Sequence, residues 1–343
     1  MVAGAVGLVG LVGSTLQAQA VITNGTVSLG VGETGELNID ATVPYYGGVG
    51  VRHNASGWDG TYDGCTCEGW GAGVAGGTFD GTFSEASTTT GHVNLNNPTF
   101  TSDGTTAVST ITMQSGGTDI MRVTHTFAPA PETPNLYKVT VTLENLTDGT
   151  LGAGDQALRY RRAMDWDIPT PGNEVVTLRG WPAENLLGMS TNGFNDNNPF
   201  SALVSICGVP LNTNVTDVGP CDHGAVFDFA FPALGVGESR TFNIFYGAAD
   251  NLEAARAALG AVGAEVGTWA YCGAGRSIPS ALGGGTCVGA DGPTFVFGFE
   301  GVGGTVIEPP PDGSVVPEPG TVLLTATGLF GVGALVRRRR RHG

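Results

Sequence analysis

Between residues 21 and 245 the chain builds short runs of β-branched and aromatic residues and breaks each with Gly, Asn, Asp or Pro. This rhythm constrains the fold more than any other feature, because a run of roughly four to eight such residues bounded by turn formers reads as a strand. The runs are 105–113, 120–127, 137–143, 175–178, 225–231 and 240–246. Within Tyr137-Lys138-Val139-Thr140-Val141-Thr142-Leu143 polar and apolar residues alternate with period two, as on a half-buried strand. Ser102-Asp103-Gly104, Ser115-Gly116-Gly117 and Thr147-Asp148-Gly149 supply the turns. The pattern predicts an all-β fold, an antiparallel β-sandwich.

One segment departs from the rhythm. Residues 250–259 are alanine-rich, with Asp250 placed as N-cap, Leu252, Ala255 and Leu259 on one face and Gly260 as the stop. They predict one short helix over a sandwich edge. A last strand is expected at 295–299. There is no internal repeat, so residues 21–304 are expected to form one sandwich, or two dividing near 149–154. Residues 305–315, with Glu308-Pro309-Pro310-Pro311-Asp312, form a stiff spacer.

The C-terminus has three parts in order. Val316-Pro317-Glu318-Pro319 is held extended by its prolines. An apolar stretch, 320–336, follows; as a helix, 321–336 reaches about 24 Å, slightly short of the roughly 30 Å hydrocarbon core. Arg337, Arg338, Arg339, Arg340 and Arg341 close it; they bridge the gap by snorkelling and stay cytoplasmic, leaving the body outside. This arrangement resembles the PEP-CTERM sorting signal of Gram-negative bacteria, over about the last 29 residues. The resemblance implies recognition by an exosortase, a membrane cysteine transpeptidase-like enzyme, with removal of the single transmembrane helix and the arginines. It also implies a setting of exopolysaccharide and biofilm. The plainer alternative is a C-terminal anchor on a proline-rich stalk.

The N-terminus agrees with export. Residues 2–12 are apolar and Ala18-Gln19-Ala20 is a small-x-small cleavage site, so 1–20 reads as a signal peptide. No Lys or Arg precedes the apolar run, which predicts a true start upstream of Met1. The six cysteines, Cys65, Cys67, Cys207, Cys221, Cys272 and Cys287, then read as disulfides. Proximity suggests Cys207–Cys221 and Cys272–Cys287, each loop contributing on the order of 3 kcal/mol; Cys65–Cys67 is a tight ring, and zinc is the rival use of C-x-C. The net charge is −16, and without the five tail arginines the body carries about −21. Such a surface argues against nucleic acid, since nothing neutralises the phosphates.

Chemistry concentrates in Arg159-Tyr160-Arg161-Arg162-Ala163-Met164-Asp165-Trp166-Asp167. On a strand Asp165 and Asp167 share a face. Two close carboxylates can act as acid and base, or hold a cation such as Ca2+. The structural alternative pairs them with Arg161, Arg162 or another arginine. Asp59 and Asp63, and the Asn192–Asn198 loop, offer oxygen ligands but are also turn formers. Trp58, Trp70 and Trp181 can stack on sugars or fill core. No histidine pattern, nucleophile elbow or P-loop is present.

The expectation is therefore an exported protein: a membrane-anchored precursor, then a cell-envelope or extracellular matrix protein associated with exopolysaccharide, with no cofactor unless Ca2+. The alternative is a secreted carbohydrate-active enzyme using Asp165 and Asp167.

Overall fold

The computed structural model describes residues 19–40, 48–62, 64–65, 67–169 and 172–308. The chain divides into a unit Met1–Pro309 and a second unit Pro310–Gly343. The sorting motif Val316–Pro319, the 320–336 span, Arg337–Arg341 and the leader up to residue 18 lie outside the described residues. Among the described residues no helix is long and apolar enough to cross a membrane.

Among the described residues the architecture is all-β with one α-helix. A nine-stranded sheet runs Val215–Cys221, Glu174–Arg179, Val266–Cys272, Thr294–Glu300, Ser239–Ala249, Leu136–Asn145, Thr118–Pro129, Ala107–Ser115, Asn96–Ser102. A six-stranded sheet runs Leu186–Ser190, Gly224–Phe231, Leu158–Asp165, Glu68–Val74, Thr82–Ser87, Gly91–Val93. Every pairing in both is antiparallel. Each sheet contains a block of strands from before 149–154 hydrogen-bonded to a block from after it, so both sheets run across that turn. Five of the six expected runs lie within strands, as does 295–299; the sixth, 105–113, overlaps Ala107–Ser115, which starts two residues later.

The sheets meet face to face through phenylalanines. Phe227, Phe229 and Phe231 stand at alternate positions of one strand and so point the same way. They meet Phe297, Phe299 and Phe242 of the larger sheet, with ring centroids 5.5 Å apart for Phe227–Phe297, 4.6 Å for Phe229–Phe299 and 5.2 Å for Phe231–Phe242. Edge, tilted and stacked contacts of this kind stabilise beyond simple area burial, by about 0.5–1.5 kcal/mol per pair. On the other face of the larger sheet, threonines oppose one another across strands, as in Thr110–Thr124 and Thr142–Thr241, a pairing that suits a half-exposed surface.

The helix spans Leu252–Ala261, and its N-cap is Asn251, not Asp250: the Asn251 side chain accepts from the Ala254 N–H at 2.9 Å. Either residue can cap; the chain turns helical one position later, and Asp250 instead faces His53 at 3.4 Å. Gly260 lies inside the helix, and the left-handed residue after it is Gly263. The helix covers a sheet face and not an edge: Ala255, Ala258 and Leu259 pack on Phe245, Trp269 and Val296.

Strands outside the expected runs include Glu68–Val74. Glu68-Gly69-Trp70-Gly71-Ala72-Gly73-Val74 has glycine at alternate positions and is buried throughout. A Cβ on Gly71 would sit 1.8 Å from the Asn197 carbonyl oxygen, and one on Gly73 would strike Phe200 at 2.6 Å. The glycines let the 195–200 loop lie flat on the sheet.

A carboxylate cluster where the chain crosses between the sheets

Two connections pass from one sheet to the other at the same end of the molecule. The first leaves Leu158–Asp165 and enters Glu174–Arg179. The second leaves Val215–Cys221 and, through Asp222 and His223, enters Gly224–Phe231. Successive backbone N–H groups tie the first crossing to three other segments. Asp165 donates to the Cys67 carbonyl (2.8 Å), Trp166 to that of His223 (3.1 Å) and Asp167 to that of Gly60 (2.8 Å). The Trp166 side chain is fully buried.

This tethering brings Asp165, Asp167 and Asp222 together, with a carboxylate oxygen of each within 4.8 Å of the others. Asp165 is 1% exposed and Asp167 0%. Oδ1 of Asp165 and Oδ1 of Asp222 are buried and accept no hydrogen bond. Glu174 stands beside the group, its carboxylate accepting from the Ile168 (3.3 Å) and Gly172 (3.1 Å) N–H groups. Burial first, and then the charges of Asp222 and Glu174, push Asp165 up to about 8. Glu174 also rises to about 8, through burial and then Asp167 and Asp222.

The expected arginine partners are elsewhere. Arg161 is bidentate to Asp228 (2.6 and 2.7 Å) and reaches Asp196 at 3.3 Å. Arg162 pairs with Glu68 at 2.6 Å, both side chains 0% exposed. Neither Arg161 nor Arg162 pairs with Asp165. Among the described residues Asp165, Asp222 and Glu174 meet no arginine or lysine within 4.0 Å. His223 does not help, since burial lowers its pKa and keeps it neutral.

All three cysteine pairs stand at this end, at disulfide distance, with Cα–Cα 5.1 Å for Cys65–Cys67, 6.5 Å for Cys207–Cys221 and 5.8 Å for Cys272–Cys287. The Cys65 sulfur is 3.5 Å from Asp165 Oδ2. Cys221 precedes Asp222, and Glu174 lies opposite both Cys221 and Cys272 in the sheet. Two cysteine-containing groupings have metal-like spacing, Cys207/Cys221/His223 and Cys65/Cys67/Asp165. Their sulfurs are bonded to each other, so they offer no thiolate to zinc.

Asp59 and the asparagine loop are tied up in internal hydrogen bonds. Asp59 accepts from the N–H groups of Gly50, Val51, Thr61 and Tyr62; Asp63 lies outside the described residues. In the asparagine loop, Asn192 and Asn198 accept from the backbone two residues on, and Asn195 bonds to Val204. Trp58 and Trp70 are core residues, which removes them as sugar platforms; Trp181 is half-exposed and lines a cleft. Glu174 and Asp222 escaped the sequence reading. Period two does place Glu174 on the inward face with Val176 and Leu178, an unusual place for an acid.

Comparison with protein-family models and with curated proteins finds no match for this chain.

The cluster sets a pH dependence. Asp165 and Glu174 keep their protons to about pH 8 in the fold, but lose them near 4 when unfolded. In between, the folded state binds more protons, so stability falls as pH rises. Unfolding in EDTA between pH 7 and 8, above the ordinary histidine value of about 6.5, should show a declining midpoint. The Asp165→Asn/Glu174→Gln double variant should flatten that decline. An identical slope in wild type and variant would contradict the assignment.

Proposed function

We propose that the protein is an exported cell-envelope or extracellular matrix β-sandwich whose crossing end is locked by one calcium ion. Asp165, Asp167 and Asp222 are its ligands, with Glu174 behind them. The observation that carries the reading is the convergence of three carboxylates with partnerless buried oxygens on Asp165 and Asp222. An all-oxygen set suits a hard cation. Two oxygens on opposite sides of Ca2+, each at roughly 2.4 Å, stand about 4.8 Å apart, so oxygens within 4.8 Å of one another can share one ion. The ion would replace the repulsion between the two crossings with a common attraction, clipping the sheets together.

Burial favours this over the acid–base alternative. Carboxyls that are 0–1% exposed, as on Asp165 and Asp167, are poorly placed to reach the linkage of a polymer. Disulfides fit an oxidising compartment, and the Val316–Pro319 motif, the apolar 320–336 stretch and the arginine run support export with exosortase sorting.

Calcium should raise the unfolding midpoint of the wild-type protein; at a hundredfold excess over Kd the gain is about 2.7 kcal/mol. Asp165→Asn should stabilise the ion-free protein, since it removes a carboxyl that folding forces to stay protonated, yet abolish the response to calcium. If that variant is less stable without calcium and still responds to it, the cation reading fails. Release of new reducing ends from a polysaccharide, lost in Asp165→Asn, would favour the enzyme instead.

The sorting reading has its own test. Glu318→Ala should leave the full-length form, with the apolar stretch and arginines attached, in the inner membrane. Normal processing of that variant would rule the reading out.

A further inference from the structure

A second polar feature lies at the opposite end of strand Glu174–Arg179 from the cluster, five residues or about 17 Å along it. Here the helix, that strand and the stretch 305–308 border a cleft of about 510 Å3, a size typical of small-ligand sites. Its floor is the indole of Trp269, which holds two guanidiniums, Arg179 at 5.9 Å and Arg256 at 5.8 Å from the ring centroid. Trp181 forms part of the wall, and Asn214 fixes it by accepting from the Trp181 N–H (3.0 Å) and donating to its carbonyl (2.6 Å).

The arginines differ in one respect. Arg179 is anchored: it donates to the Val215 carbonyl at 2.6 Å and to Thr216. Arg256 is bound to its surroundings by the indole contact alone. Among the described residues it makes no hydrogen bond or ion pair, and its Nε is buried without an acceptor. In a chain of net charge −16, a half-buried guanidinium left without a carboxylate is unusual. Burial and the nearby Arg256 charge both draw Arg179 below its usual value, so the two cations are close enough to repel.

The cleft's acids form no ion pair with either guanidinium, although the Asp217 charge acts on Arg179 from a distance. Glu265 is committed to the N–H groups of Val302 (2.8 Å) and Gly304 (3.0 Å), and Asp217 to the Thr177 hydroxyl at 3.2 Å. Glu308 is exposed at the rim.

We propose that this cleft binds a carboxylate-bearing sugar, a uronate residue of an acidic polysaccharide. Arg256 takes the carboxylate, with Arg179 beside it, and the Trp181 ring stacks on the sugar face. A guanidinium fork matches a carboxylate bidentately. An indole offers an apolar face to the C–H side of a pyranose. A ring bearing a carboxylate uses both at once, which a bare anion does not. The proposal supplies the partner class for the matrix reading above and rests on it for context.

The test is titration calorimetry of the full-length protein in calcium, with a galacturonate pentamer, a neutral maltopentaose and inorganic phosphate as probes. The galacturonate should bind and the neutral sugar should not. Arg256→Gln should weaken binding about tenfold to a hundredfold, the loss of a charge-assisted hydrogen bond, with Arg256→Lys intermediate. Trp181→Ala should weaken it as well, with the fold of each variant checked by its unfolding midpoint. Galacturonate affinity unchanged in Arg256→Gln, equal binding of the neutral sugar, phosphate binding as tightly as galacturonate, or no binding at all would each overturn the proposal. The two readings fail separately: Asp165→Asn should lose its response to calcium and keep galacturonate binding, whereas Arg256→Gln should do the reverse.

Discussion

Arg161 and Arg162 are adjacent in sequence, fully buried, and each committed to acids other than the nearest ones. Arg162 holds Glu68 across neighbouring strands, with Tyr246 beneath it at 5.4 Å, and Arg161 holds Asp228 and Asp196. Breaking such a buried pair by removing one partner costs about 3–5 kcal/mol, so these assignments are fixed by the sheet register. Their consequence lies three residues further on. Both guanidiniums already have their carboxylates, and Asp165 at the strand end is left beside other acids. The charge imbalance at the crossings follows from where the arginines go.

Chain topology then makes that imbalance matter. A sandwich is weakest where its sheets are joined only by connections, and here two connections carry like charges into contact. The disulfides stand at the same place, against Asp165, before Asp222 and beside Glu174. Cross-links restrict the unfolded chain, and they also hold these loops against their mutual repulsion. A cation in the middle gives the same end a positive centre. Covalent bracing and ion binding are in this account complementary answers to one electrostatic problem.

How much of this was readable beforehand depended on range. The strand runs were legible because alternation is local, and Tyr137–Leu143 falls wholly inside Leu136–Asn145. The helix was legible to within about two residues, and its cap slipped from Asp250 to Asn251 because both residues cap well. Strand Glu68–Val74 was illegible, since its glycines serve a loop more than a hundred residues away. Asp165 and Asp167 announced themselves by spacing. Asp222 and Glu174 did not, because only the two crossings bring them there. The pairing of Arg161 and Arg162 was misjudged for the same reason: their partners are set by strand register. Trp58 and Trp70 went to the core, and the cleft pairing of Trp181 with Trp269, Arg179 and Arg256 joins segments far apart in the chain.

The most direct test is crystallographic: crystals grown with calcium, then exchanged into terbium, examined for anomalous scattering. The account predicts one peak at the crossing end, at coordinating distance, roughly 2.4 Å, from oxygens of Asp165, Asp167 and Asp222. Density with no peak there, and Asp165 sharing a proton with Asp167 or Asp222 instead, would contradict it.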